Sequence, residues 1–193
     1  MNIPNVISVF RGLMVPFIII ILFVDFTYHH YIALFLYIFA MASDLVDGYI
    51  ARKYKLETPL GRFLDPLADK LISLSMIVTL VYLNIFPLWI SLFIIYKDII
   101  IDAVVNLNAS LNIFVGAPIG GKLRTLFLSF AIIVGILALA AQDGLFIEGV
   151  EVESLKNVTY ILLLISFFIG FYGMKKHESN FLGKIKEKWE EGK

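Results

Sequence analysis

Residues 41–70 read MASDLVDGYIARKYKLETPLGRFLDPLADK, and they place Asp44, Asp47, Asp65 and Asp69 within one short stretch of an otherwise membrane-like chain. An Asp near the centre of a bilayer helix costs about 2.5–3.5 kcal/mol even on the mildest insertion scale, so four cost about 10–14 kcal/mol if nothing neutralises them. Packing does not return that much. A divalent cation in a wet or interfacial site is the natural partner. Asp44 and Asp47, at i and i+3, share one helical face, which Gly48 and Ala51 continue. Arg52 follows at the water boundary. Small residues there let a bulky ligand approach the backbone. After the turn in KYKLETPL, the stripe Gly61, Asp65 and Asp69 recurs at i, i+4 and i+8 on the next helix. Asp65-Pro66 is expected as N-cap and first helical residue, with Asp65 at the helix mouth and Asp69 one turn inside.

Around this stretch the composition is that of a membrane protein. Hydrophobic residues make up 60% of the 193 residues and the mean hydropathy is +0.87, against roughly 45–50% apolar in soluble domains. Cysteine is absent, which excludes disulfides and thiolate metal sites. Apolar stretches near 6–26, 31–50, 66–85, 87–107, 123–141 and 155–174 predict an all-α fold with six transmembrane helices. The first lacks the basic start and small-residue cleavage site of a signal peptide and is expected to stay. Arg52, Lys53, Lys55, Arg62, Lys122, Arg124, Lys175 and Lys176 cluster in alternate connections and after the last span. The connections VDFTYHHY, NIFP and QDGLFIEGVEVES hold no Lys or Arg, and the first and last of them are acidic. The positive-inside rule then puts both termini and the aspartates on the cytoplasmic side of the cell membrane. With no repeat of 20–50 residues and no inverted symmetry, one membrane domain is expected over 1–176, followed by a charged tail, 177–193, as a frayed helix or disordered end.

An all-carboxylate set suits hard cations, Mg²⁺, Mn²⁺ or Ca²⁺. Four carboxylates suffice to bridge two ions, and such a pair clamps a transferring phosphoryl group. His29, His30 and His177 lie outside the stretch, so zinc is not expected at the aspartates.

Asp44-Leu45-Val46-Asp47-Gly48-Tyr49-Ile50-Ala51-Arg52, eight residues, then Gly61-Arg62-Phe63-Leu64-Asp65-Pro66-Leu67-Ala68-Asp69 resembles the CDP-alcohol phosphatidyltransferase signature, DxxDGxxAR, eight residues, GxxxDxxxD. Every fixed position is present. The resemblance implies a six-helix membrane enzyme, usually a homodimer, with a two-metal site open to the cytoplasmic interface. It implies a CDP-linked lipid donor, an alcohol acceptor, and CMP as the leaving product. Asp44, Asp47 and Asp65 become metal ligands by the same resemblance. Asp69 becomes a ligand and the catalytic base, and Gly48, Ala51, Arg52 and Gly61 line the CDP pocket.

The opening NIPNVISVFRGLMVP (residues 2–16) is similar to the start of the phosphatidylglycerophosphate synthase branch, with Ser8 in place of Thr. Asn5, Ser8 and Arg11 share a helical face. Asn5 either touches the nucleotide or caps the helix; Arg11, in an apolar run, must meet an anion or a carboxylate. Gly121-Lys122-Leu123-Arg124-Thr125 resembles the GKxKT run of that branch, and Lys97-Asp98 stands where it carries a basic–acidic pair. Arg11, Lys97, Lys122 and Arg124 are therefore candidates for the acceptor's phosphate, which points to glycerol 3-phosphate, with inositol phosphate or another alcohol as alternatives. Lys122 and Arg124 also fit plain positive-inside topology, and Lys97 an intramembrane ion pair with Asp98. The rival class is a divalent cation transporter, since carboxylates within spans suit both. Broken helices and a polar path to both faces, expected of a transporter, are not apparent. No nucleic-acid partner is expected.

Overall fold

The computed structural model describes residues 3–54, 58–110, 119–144 and 151–191, and for some residues within the helices only the backbone. Six helices follow in order: α1 (Ile3–Phe23), α2 (His29–Tyr54), α3 (Pro59–Tyr82), α4 (Leu88–Ser110), α5 (Ile119–Gln142) and α6 (Val152–Glu191). No strand occurs among the described residues. Three stretches among them are long and apolar enough to cross a bilayer: Asn5–Phe23, Gly121–Gln142 and Val152–Gly173. The chain is an all-α polytopic membrane protein.

The helix faces carry the signature of a lipid environment. In α1, Asn5, Ser8, Arg11, Val15, Ile18 and Leu22 are buried at three- and four-residue steps, while Val6, Phe10, Leu13, Phe17 and Ile20 are exposed. The polar side chains Asn5, Ser8 and Arg11 lie on the buried face and the exposed face is apolar, the reverse of a helix on a water-soluble core. A continuous exposed apolar surface of this kind needs an apolar medium to cover it.

The described contacts gather into two compact units, Met1–Phe86 with Ile132–Thr159, and Pro87–Ala131 with Tyr160–Lys193. In the first, α1 packs on both α2 and α3. Ala33, Tyr37 and Ala40 of α2 and Ala68, Ile72, Met76 and Leu80 of α3 supply the buried stripes. Asn84, at φ 57°, reverses the chain after α3, and the Ile85 and Phe86 amides donate to the Leu80 carbonyl. A Cβ at Gly135 would lie 3.0 Å from the Phe86 ring and 3.2 Å from Ile85, so the missing side chain is what admits this turn. In the second unit, Ser91, Ile94 and Lys97 of α4 are buried together with Leu128 and Ala131 of α5 and Leu163 and Ser166 of α6. The Ser166 hydroxyl donates to the Arg124 carbonyl at 3.1 Å, and the Phe93 and Phe167 rings lie 6.3 Å apart.

One expectation changes. The third helix starts at Pro59, not Pro66. Thr58, with extended backbone, is its N-cap and accepts from the Gly61 amide. Pro66 lies inside α3. Thr58-Pro59 is the better start signal, because a hydroxyl accepts the orphan amide and Pro fills the first turn without losing a bond. Asp65 and Asp69 are consequently both interior to α3. Of the two forms expected for the charged tail, the helical one is present, since α6 runs on to Glu191.

Candidate active site at the α1–α2–α3 contact

Helix α1 brings the groups that gather the aspartates. Arg11 is wholly buried. Its guanidinium Nη1 pairs with Asp44 Oδ1 of α2. Nη2 lies 3.3 Å from Asp69 Oδ1 and donates to the Asp65 carbonyl at 3.3 Å, both on α3. One rigid cationic fork thus touches three of the four expected carboxylate residues. Ser8, one turn before Arg11, donates its hydroxyl to Asp65 Oδ1 at 2.5 Å. A guanidinium in so apolar a helix is tolerable only because carboxylates meet it.

The buried Asn5 continues this face. It is not a helix cap: it lies inside α1, where its Oδ1 accepts from the Thr58 hydroxyl at 3.1 Å. A Cβ at Gly61 would lie 2.7 Å from Asn5 Oδ1 and 3.3 Å from Thr58 Oγ1. Gly61 therefore lets the start of α3 close onto α1, which sets where Asp65 and Asp69 stand. Gly48 is partly exposed on α2. The side chains of Asp47, Ala51 and Arg52 lie outside the described residues, although their backbone is helical.

The described aspartates pass a simple test as a cation site. Asp44 and Asp69 remain partly open, with side chains 35% and 43% exposed, and both lean on one buried cation. Unneutralised carboxylates from two helices repel, so the arrangement requires positive charge, and oxygen donors favour hard divalent ions.

Helices α4, α5 and α6 of the second unit hold a different group. Arg124 Nη1 donates to Asp98 at 2.5 Å. Lys97 Nζ is buried and lies 3.5 Å from Asp98 Oδ1. Lys97 thus does pair with its neighbour, but two cations share that carboxylate. Lys122 is exposed. A Cβ at Gly170 would lie 2.0 Å from Lys97 Nζ and 2.8 Å from Arg124 Cδ. Gly170 is thus the slot that receives a lysine. The Gly→Ala gain in helix propensity, roughly 1 kcal/mol, is outweighed by overpacking of about 1–3 kcal/mol. Gly170→Ala is expected to lower Tm by a few degrees and to raise the apparent KM of an anionic acceptor about tenfold. A KM unchanged in the folded variant would separate this cluster from acceptor binding.

Sequence reading missed Thr58, whose signal was the Thr-Pro pair before Gly61, and the contact of Ser8 with Asp65, which no local spacing reveals.

Comparison with known proteins identifies the family. The family model described as CDP-alcohol phosphatidyltransferase matches residues 1–172. Curated relatives bear the name CDP-diacylglycerol–glycerol-3-phosphate 3-phosphatidyltransferase. The one from Pseudomonas fluorescens is 39% identical over 115 residues, 58% of this chain and 58% of that protein. The Bacillus subtilis protein is 33% identical over 154 residues, 74% of this chain and 78% of its own. The Wigglesworthia glossinidia brevipalpis protein is 33% identical over 176 residues, 89% and 94% of the two chains. That family is one of divalent-cation-dependent membrane enzymes of phospholipid synthesis. With its signature complete and Asp44, Asp65 and Asp69 gathered on Arg11, this chain belongs to the CDP-alcohol phosphatidyltransferase family.

Proposed function

We propose that this protein transfers a phosphatidyl group from CDP-diacylglycerol to glycerol 3-phosphate, releasing CMP, at the cytoplasmic face of the cell membrane. The observation that carries the reading is the convergence of Asp44, Asp65 and Asp69 on one buried arginine beneath a complete family signature. The names of the relatives support the acceptor. The buried Lys97 ammonium, which shares the single Asp98 carboxylate with Arg124, supports an anionic one.

Asp44, Asp47, Asp65 and Asp69 are assigned to hold two divalent ions, Mg²⁺ or Mn²⁺. When bound, these supply charge neutralisation of the pyrophosphate and of departing CMP. Ser8 and Arg11 keep the carboxylates of α2 and α3 aimed at one place. Gly48, Ala51, Arg52 and Gly61, with Asn5 behind Gly61, border the CDP pocket. Asp69 takes the proton of the acceptor hydroxyl as its oxygen bonds to the lipid-side phosphorus and the bond from that phosphorus to CMP breaks. Lys97, Lys122 and Arg124 hold the acceptor's phosphate. Arg11, also expected there, is assigned instead to the carboxylates it contacts. We further propose a homodimer, on family grounds.

The test is CMP release by purified protein in detergent with CDP-diacylglycerol and Mg²⁺ or Mn²⁺, each acceptor in a separate tube. Release with glycerol 3-phosphate alone is the expected result; release with inositol phosphate or phosphatidylglycerol alone would replace the acceptor. Arg124→Ala and Lys122→Ala are expected to raise the acceptor's apparent KM well above any change in the donor's. Equal effects on both substrates would leave these residues only a structural role.

A further inference from the structure

At the end of α2 remote from the aspartates, three more donors come together. His29 and His30, the first two residues of the helix, meet Asp143, just past the end of α5, all within the first unit. One donor atom from each lies within 4.8 Å of the others, and among the described residues this is the one such group. His30 to Asp44 spans fourteen residues of a continuous helix, about 21 Å at 1.5 Å per residue. The group is therefore separate from the candidate active site.

The nitrogen lone pairs decide its chemistry. His29 Nδ1 lies 2.7 Å from the Phe26 carbonyl, which can only accept. Nδ1 therefore carries the hydrogen, and Nε2, 4.0 Å from Asp143 Oδ2, presents a lone pair. A backbone carbonyl on the remote ring nitrogen is the usual support of a metal-binding histidine. His30 Nδ1 is buried and lies 2.8 Å from the same Oδ2. With bonds of about 2.0–2.2 Å to a common ion, 2.8 Å and 4.0 Å correspond to angles of about 85° and 145°, on either side of the tetrahedral angle, so small side-chain rotations would seat both rings on one ion with Asp143. The His29 ring lies 3.8 Å from that of His30, tilted by 39°. Tyr28 adopts a left-handed φ of 68°, which turns the chain so that both rings enter α2 toward Asp143.

We propose that His29, His30 and Asp143 form a second metal site, for a divalent transition ion of the zinc class. Two imidazoles and a carboxylate suit Zn²⁺, Co²⁺ or Ni²⁺ over the hard ions that the aspartates suit. Such an ion would tie the turn between α1 and α2 to the end of α5, and its binding energy would add to folding stability.

The test uses the full chain in detergent, stripped with chelator and then held in excess Mg²⁺. Titration with Co²⁺ should give visible d–d absorption saturating at one equivalent per chain and displaced by Zn²⁺. Asp143→Asn and His30→Ala should weaken this binding at least about 100-fold, while Asp44→Asn leaves it in place. Zn²⁺ should raise the Tm of the wild-type protein but not of Asp143→Asn, whose part-exposed, isosteric substitution tests the site without disturbing the fold. Absorption that is missing in the wild type, or that survives Asp143→Asn and His30→Ala, would overturn the site. So would a wild-type Tm indifferent to Zn²⁺, which would leave His30 and Asp143 as an ordinary proton-dependent pair.

Discussion

Asp69→Asn is expected to slow CMP release by about 10²–10⁴-fold while CDP still binds in Mg²⁺. The amide keeps the size of the carboxylate and an oxygen to face Arg11, 3.3 Å away. It cannot take the proton of an attacking hydroxyl. Arg11 continues to pair with Asp44, so the α1–α2 contact should persist. Single-turnover CMP release and equilibrium dialysis of CDP separate the two effects. Turnover unchanged in the folded variant would remove Asp69 from the role of base. Asp44→Ala or Asp65→Ala should instead abolish metal-dependent CDP binding, because each removes a donor outright. CDP binding that survived both would refute their assignment as ligands.

Arg11→Met carries the second large effect, and its size depends on the metal. Removing one partner of a buried ion pair typically costs about 3–5 kcal/mol, because the other charge stays behind. Here the carboxylates left behind are partly open to solvent, so the lower end of that range is expected. In chelator, Arg11→Met should therefore lower Tm strongly. Saturating Mg²⁺ should restore part of the loss, since divalent ions bound to Asp44 and Asp69 replace the missing positive charge. A Tm deficit that Mg²⁺ does not reduce would mean that Arg11 matters for packing alone. The comparison with wild type isolates the effect, because Mg²⁺ should stabilise the variant by more.

Much of this protein is legible in its residue order. Six helices follow from apolar runs whose length matches a bilayer, since the hydrocarbon core tolerates no other single-chain backbone arrangement than a helix or a closed barrel. The face shared by Asn5, Ser8 and Arg11 follows from the helical period alone. The aspartates are conspicuous because charge in such a chain is costly, and their spacing carries the family. Local signals failed where two compete within a few residues. Asp65-Pro66 and Thr58-Pro59 both resemble a helix start, and only the packing of Gly61 on Asn5 shows that the chain is already helical between them.

Partnerships between distant residues needed the tertiary structure. A buried arginine at position 11 demands a counter-charge, but nothing in the order of residues says that one fork reaches Asp44, Asp69 and the Asp65 carbonyl. Gly170 reads as an unremarkable membrane glycine until α6 is laid against Lys97. His29 and His30 stand over a hundred residues from Asp143, and no periodicity links them. Helical order is local, set by bonds four residues apart and by the hydropathy of each segment. A site is made by side chains that meet only when helices pack, and their separation along the chain leaves no mark on the sequence.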